Sequence, residues 1–225
     1  MKHQDVKPQS NTQRAVQELR QMIFTGELPA GSDHLESELA VQLGMSRTPI
    51  REAALMLESQ GLLELRPRKG VRILPVSPED MCEIYDVLTE LESLAARRAA
   101  ERSPSPAELQ ALAQAIDDME NALTQHSLED WAEADERFHR ELVRLGGNSR
   151  VQSIVAMMSD QVRRARAVTL FMRPLPVKSN EDHRRVFEAI RSGRADEAAF
   201  VHHAHRQNAK KLIIDLLEKH KLSRV

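Results

Sequence analysis

From Asn11 or Thr12 onward, apolar residues recur as Ala15, Val16, Leu19, Met22 and Ile23, the three- and four-residue spacing of a helix that buries one face. Gly26 ends that helix, and Pro29-Ala30-Gly31 reads as a loop. Leu39, Ala40 and Leu43 mark a short second helix from about Glu36 to Leu43. Gly44 caps its end, and a third helix begins at Thr48, a plausible N-cap, with Pro49 at the first helical position. It runs to Gln60, offers Ile50, Ala54, Leu55 and Leu57 to a core, and stops at Gly61. Leu62-Leu63-Glu64-Leu65-Arg66 and Gly70-Val71-Arg72-Ile73-Leu74 then flank a turn, which predicts a β-hairpin. Three helices followed by a hairpin make a winged helix-turn-helix.

Beyond Pro75-Val76-Ser77-Pro78 the pattern is helical throughout, with Ser77 as cap and Pro78 at the first helical position. Helices are expected at about 78–102, 106–125, 128–145, 149–172, 179–192 and 195–219. The breaks fall at Ser103-Pro104-Ser105-Pro106, Gly146-Gly147-Asn148-Ser149, Arg173-Pro174-Leu175-Pro176 and Ser192-Gly193. Short connections imply an antiparallel six-helix bundle. The expected organisation is a mainly α chain. A flexible arm spans 1–10, a winged domain 11–75, a stiff Pro-containing linker 76–78 and an all-helical domain 79–225.

A hydrophobic content of 41% supports a real core, and no apolar run approaches a membrane span. The first residues lack the apolar segment of a secretory signal, and the single Cys82 excludes an internal disulfide; it reads as a buried structural thiol. These features place the chain in the cytoplasm. Net charge alone does not announce a nucleic-acid partner. Residues 1–76 hold 10 lysines and arginines against 9 acids, and residues 77–225 hold 22 against 25. Aromatics at 3% argue against a stacking platform for single strands.

The positive charge is instead placed locally. Arg47 and Arg51 stand at the start of the third helix, where a cation opposes the helix dipole, so this end is read as facing an anion. In a helix-turn-helix that end enters the major groove of double-stranded DNA. Arg47 and Arg51 suit guanine edges, while Ser46 and Thr48 suit phosphate oxygens. Arg68 and Lys69 at the hairpin tip are placed to reach the backbone or minor groove. Each arginine taken singly is an ordinary solvated residue; the surrounding pattern makes the case.

The helical part carries a second constellation. Asp135 and His139 are four apart on one helix face, His183 lies in the next-to-last helix, and His202 and His205 lie three apart in the last. One Asp and three His from three helices can converge on zinc, nickel, manganese or iron. The alternative pairs Asp135 with Arg98 or Arg144 and leaves the histidines on polar faces. An enzyme, a metal-dependent hydrolase or lyase on the same residues, is a third reading. No His-Glu-x-x-His motif is present, and Glu136 points about 100° from Asp135 around the helix, so a regulator rather than an enzyme is expected.

The run Ser46-Arg47-Thr48-Pro49-Ile50-Arg51-Glu52-Ala53, with Leu39-Ala40, Leu43-Gly44, Gly61-Leu62 and Lys69-Gly70-Val71, resembles the winged domain of the GntR regulators. The remainder resembles the effector domain of their FadR/FCD branch. The resemblance implies a homodimeric transcription factor, usually a repressor, that binds a short palindromic operator. It also implies a divalent metal held by Asp135, His139, His183 and His205, with a small organic acid bound at the metal's open positions. Two departures stand out: Ala54 replaces the usual leucine, and Leu88 stands where an arginine commonly clamps the acid. Arg163 and Arg164 are the candidate substitutes; otherwise the pocket suits a more apolar ligand, or the metal is structural.

Overall fold

The computed structural model describes residues 10–220, so the arm expected over 1–10 lies outside the described residues except for Ser10. The chain forms two compact units that divide between Val76 and Ser77. Among the described residues there are nine α-helices and one three-stranded sheet. Among the same described residues, no helix is long and apolar enough to cross a membrane.

In the first unit, α1 (Asn11–Phe24) starts at a reciprocal cap. The Ser10 hydroxyl accepts from the Gln13 backbone, and the Gln13 side chain accepts from the Ser10 backbone. Its buried stripe is Ala15, Val16, Leu19, Met22 and Ile23. Helix α2 (Glu36–Gln42) ends where Gly44 takes φ +61, a conformation that costs a glycine little. Helix α3 spans Arg47–Glu58, with Ser46 rather than Thr48 as the capping position. Pro49 therefore sits third in the helix, where its missing N–H still costs nothing because the first four N–H groups have no helical partner. Two expected core positions are not buried: Leu55 is 51% exposed and Leu43 is only half-buried. Ala53, which was not expected in the core, is fully buried.

The wing gains a strand. Besides β2 (Leu63–Arg66) and β3 (Gly70–Ile73), a two-residue β1 (Asp33–His34) pairs antiparallel with β3, Asp33 opposite Arg72 and His34 opposite Val71. The sheet order is β1-β3-β2. Leu63, Val71 and Ile73 face the core. Gly70 has φ +83, and a Cβ there would lie 2.1 Å from the His34 carbonyl oxygen, so only glycine closes this corner.

The second unit is a bundle of α4 (Pro78–Glu101), α5 (Pro106–Thr124), α6 (Leu128–Leu145), α7 (Ser149–Thr169), α8 (Val177–Arg191) and α9 (Ala195–Lys219). Ser77, Ser105, Ser127 and Asn148 cap the first four of these. Helix α7 ends three residues short of expectation, because Leu170–Met172 tighten into a 3-10 turn. Helix α8 starts at Val177, two residues early. Trp131, Phe138, Leu142, Leu112, Met119 and Ile190 fill the core against the small residues Ala96 and Ala99 of α4. Cys82 is half-buried rather than buried.

Candidate metal centre and nucleic-acid interface

Helical spacing puts Asp135 and His139 one turn apart on α6, and the bundle brings His183 of α8 and His205 of α9 to them. All four are buried, and one potential ligand atom from each lies within 4.8 Å of the others. His183 Nε2 is 3.6 Å from Asp135 Oδ1, His139 Nε2 is 3.7 Å from Asp135 Oδ2, and the Nε2 atoms of His183 and His205 approach to 3.2 Å. Asp135 Oδ1 and His139 Nε2 are buried without a hydrogen-bond partner. Buried polar atoms are ordinarily paired, so two unpaired atoms aimed into one cluster suit a cation ligand site. Three imidazoles and a carboxylate make a donor set suited to zinc and its neighbours, with room for water or ligand oxygen.

The charges around the cluster keep Asp135 ionised, and burial keeps His183 and His205 neutral. Burial opposes ionisation of Asp135, but Arg166, His139 and His183 outweigh it and hold the carboxyl well below the usual carboxylate range. Burial also opposes the charge on Arg166, and Asp135 reverses that, so Arg166 stays firmly charged. Burial pushes His183 and His205 well below the ordinary histidine range and His202 down to about 4. All three are therefore neutral near pH 7, the form that ligates a metal.

The partner of Asp135 is Arg166 of α7, not Arg98 or Arg144. Arg98 donates to the Gly146 carbonyl at 3.0 Å and Arg144 to Glu141 at 2.6 Å. Behind His139 lies a second layer, in which Glu92 of α4 accepts from His139 Nδ1 at 2.8 Å. Glu92 also takes His202 Nε2 at 3.3 Å and the Arg206 guanidinium at 3.0 Å. Burial opposes its charge, but Arg206, His139 and His202 hold it well below the usual range. His203 is turned outward to Glu90 at 3.2 Å. Glu92, His139 and His202 also lie close enough to hold an ion. Arg206 already answers the Glu92 charge, however, and makes that position a poor one for a second cation.

A cavity of about 610 Å³ opens from this layer between α6 and α7, lined by Leu88, Glu92, His139, Arg166 and Arg206 among others. Leu88 thus does face the cavity, with an aliphatic side chain there. Of the two candidate arginines, Arg163 lines the rim, half exposed and 3.9 Å from Glu136. Arg164 is buried and does not line the cavity, because one residue along a helix turns the side chain by about 100°. Arg166, three residues beyond Arg163, returns to the cavity face. Glu136 also lines the cavity. Sequence reading missed Glu92, Arg166 and Arg206. The available signal was a lone glutamate on the buried stripe of α4, four residues after Leu88, and an arginine four residues after His202.

At the other unit, Ser46, Arg47, Thr48 and Arg51 are all exposed at the start of α3. Arg47 is 71% exposed and lies 3.7 Å from Glu36, while the Ser46 hydroxyl makes no capping hydrogen bond. Arg68, at φ +65, and Lys69 form the exposed hairpin tip. Arg66 and Arg72 lie instead beside Asp33, at 3.5 and 3.0 Å. Within the wing, the cations left without an ion pair among the described residues are therefore those at its tip.

Residues 11–73 match the model of the bacterial regulatory proteins of the gntR family, and residues 83–208 match the FCD domain. A transcriptional regulator of Agrobacterium vitis, in the TAR-I ttuE-ttuC' intergenic region, is 46% identical over 127 residues, covering 56% of this chain and 74% of that protein. A probable D-xylose utilization operon transcriptional repressor of Paenarthrobacter nicotinovorans is 31% identical over 183 residues, 80% of each chain. Among solved structures, E. coli McbR/YncC superposes with a TM-score of 0.76 at 20% identity, covering 92% of this chain and 98% of that one, a likeness of fold.

Proposed function

Since the chain belongs to the GntR family of bacterial transcriptional regulators, in its FCD branch, we propose that it is a repressor whose operator binding is set by a metal-centred effector site in the helical unit. The family's relatives are DNA-binding regulators, not enzymes. The repressor sign follows the relatives that are named repressors. The observation that carries the metal-centred part is the cluster of four buried ligand atoms, two of them without protein partners.

Asp135, His139, His183 and His205 would hold a divalent ion, which supplies a Lewis-acidic position for an oxygen ligand. Glu92 accepts the Nδ1 proton of His139, which leaves Nε2 free to ligate and fixes the ring orientation. Arg166 lines the cavity beside the ion position and offers a guanidinium to an anion, in place of the clamp that Leu88 cannot provide. The ligand is a small carboxylate. Binding it in one arrangement of the helical unit and not in another biases the two winged units of a homodimer along the linker at residues 76–78. Each winged unit places Arg47 and Arg51 in the major groove of one half-site of a short palindrome, with Arg68 and Lys69 on the backbone. Such a protein acts on cytoplasmic DNA.

A gel-shift titration tests the DNA assignment. Arg51→Ala should weaken specific binding by about 1–3 kcal/mol and relax base preference at one position of each half-site. Arg68→Ala should weaken all sequences alike and lower the salt slope by about one. Unchanged operator binding by Arg51→Ala would remove the recognition-helix assignment.

A further inference from the structure

Resting on the carboxylate reading above, we infer that this cavity takes a monocarboxylate with an apolar body, an aryl- or alkyl-carboxylate, and not a polyhydroxylated acid. The anionic head is called for by the cavity floor. Arg206 is 2% exposed and lines the cavity, and its Nε–H is buried without an acceptor. Arg166 lines the same floor. An ion bound by Asp135 would add positive charge and weaken the hold of Asp135 on Arg166, so the floor then favours an anion.

The body of the ligand is set by the walls. Leu88 from α4, Val143 from α6, Val155 and Val162 from α7, and Leu170 are buried and aliphatic, with exposures of 1, 3, 5, 6 and 7%. The one buried acid on the floor, Glu92, already receives His139, His202 and Arg206, and it has little capacity for a ligand hydroxyl. The exposed groups at the rim, Glu129, Glu133, Arg140, Arg144 and Arg163, meet only the outer end of a ligand and are screened by water. The half-buried Glu136, Glu141, Gln152, Ser159 and Asp160 also line the cavity, but the Ser159 hydroxyl between Val155 and Val162 already donates to the Val155 carbonyl at 2.7 Å. A hydroxyl held against the aliphatic side chains therefore exchanges water for few partners, at a cost of about tenfold in affinity. A methylene or an aromatic ring gains from the same walls. At about 610 Å³ the cavity lies in the ordinary range for small-molecule sites and has room for a body well beyond acetate.

The test is calorimetric titration of the zinc-loaded full-length protein with 3-phenylpropanoate, hexanoate, gluconate and hexanamide. The first two should bind, with gluconate and the uncharged hexanamide each at least about tenfold weaker. Leu88→Asn, or the milder Val155→Thr, should narrow the gap between 3-phenylpropanoate and gluconate. If gluconate binds as tightly as 3-phenylpropanoate, the apolar body is overturned and the carboxylate reading stands. If hexanamide matches hexanoate, the anionic head is overturned. Absence of binding by every carboxylate overturns this inference together with the reading it rests on.

Discussion

His139 uses both ring nitrogens. Nδ1 meets Glu92 at 2.8 Å, and Nε2 stands at the cluster without a protein partner. Removing the Glu92 carboxylate frees the ring to turn or change tautomer. Glu92→Ala should therefore lower zinc affinity by roughly 10–100-fold in competition with a chelating dye, and Glu92→Gln, which keeps an acceptor oxygen, by less. The neighbouring histidines give the metal-free protein a pH signature. His183, His202 and His205 are held neutral chiefly by burial, so the unfolded chain binds protons that the folded chain refuses. Their contribution to stability is present above the ordinary histidine range and is lost as pH falls. For His202 the loss runs from about 6.5 down to about 4. Thermal unfolding of chelated protein between pH 7 and 4 should show a steadily falling melting temperature, and His202→Asn should flatten the slope. That Asp135 and His139 share a face was legible from their helical spacing, whereas His183 and His205 were grouped with them by family resemblance, and the bundle does bring the four together. Arg166 and Glu92 were not legible, since their partners come from other helices across the bundle.

Elements were read well where an apolar stripe is long and capped. The helix α6 expected over 128–145 is found at Leu128–Leu145, between the Ser127 cap and Gly146. Strand β1 escaped because Asp33–His34 has no alternation to detect; it exists only through pairing with β3. The start of α3 was misplaced by two residues because Thr48 and Ser46 are both good caps and Pro49 is tolerated in either frame. Close approach of elements is equally invisible to periodicity. A Cβ on Gly146 would lie 2.8 Å from the Ala95 Cα, so α6 ends directly against α4, the helix that carries Glu92. Gly146→Ala should cost about 1–3 kcal/mol in urea unfolding as the two helices are pushed apart. Its zinc affinity should fall with the displaced Glu92, more than in a variant equally destabilised in the other unit.

The two units carry nearly balanced charge, 10 cations against 9 acids over residues 1–76 and 22 against 25 over the rest. On the proposed function, DNA affinity depends on a few placed arginines and on using two copies, because a nearly neutral unit gains little from long-range attraction. In such a regulator a modest change in how two copies are held would change binding by a large factor. The account joins a cation at Asp135, His139, His183 and His205 to the α3 arginines, and coupling of this kind is typically about 1–3 kcal/mol, or about 5–150-fold. The direct measurement is the operator dissociation constant of zinc-loaded protein, by fluorescence anisotropy at fixed salt, with and without saturating carboxylate, for the natural sequence and for His183→Ala. The account predicts a shift within that range for the natural sequence and none for the variant; an equal shift in both, or no shift in the natural sequence with any bound carboxylate, would contradict it.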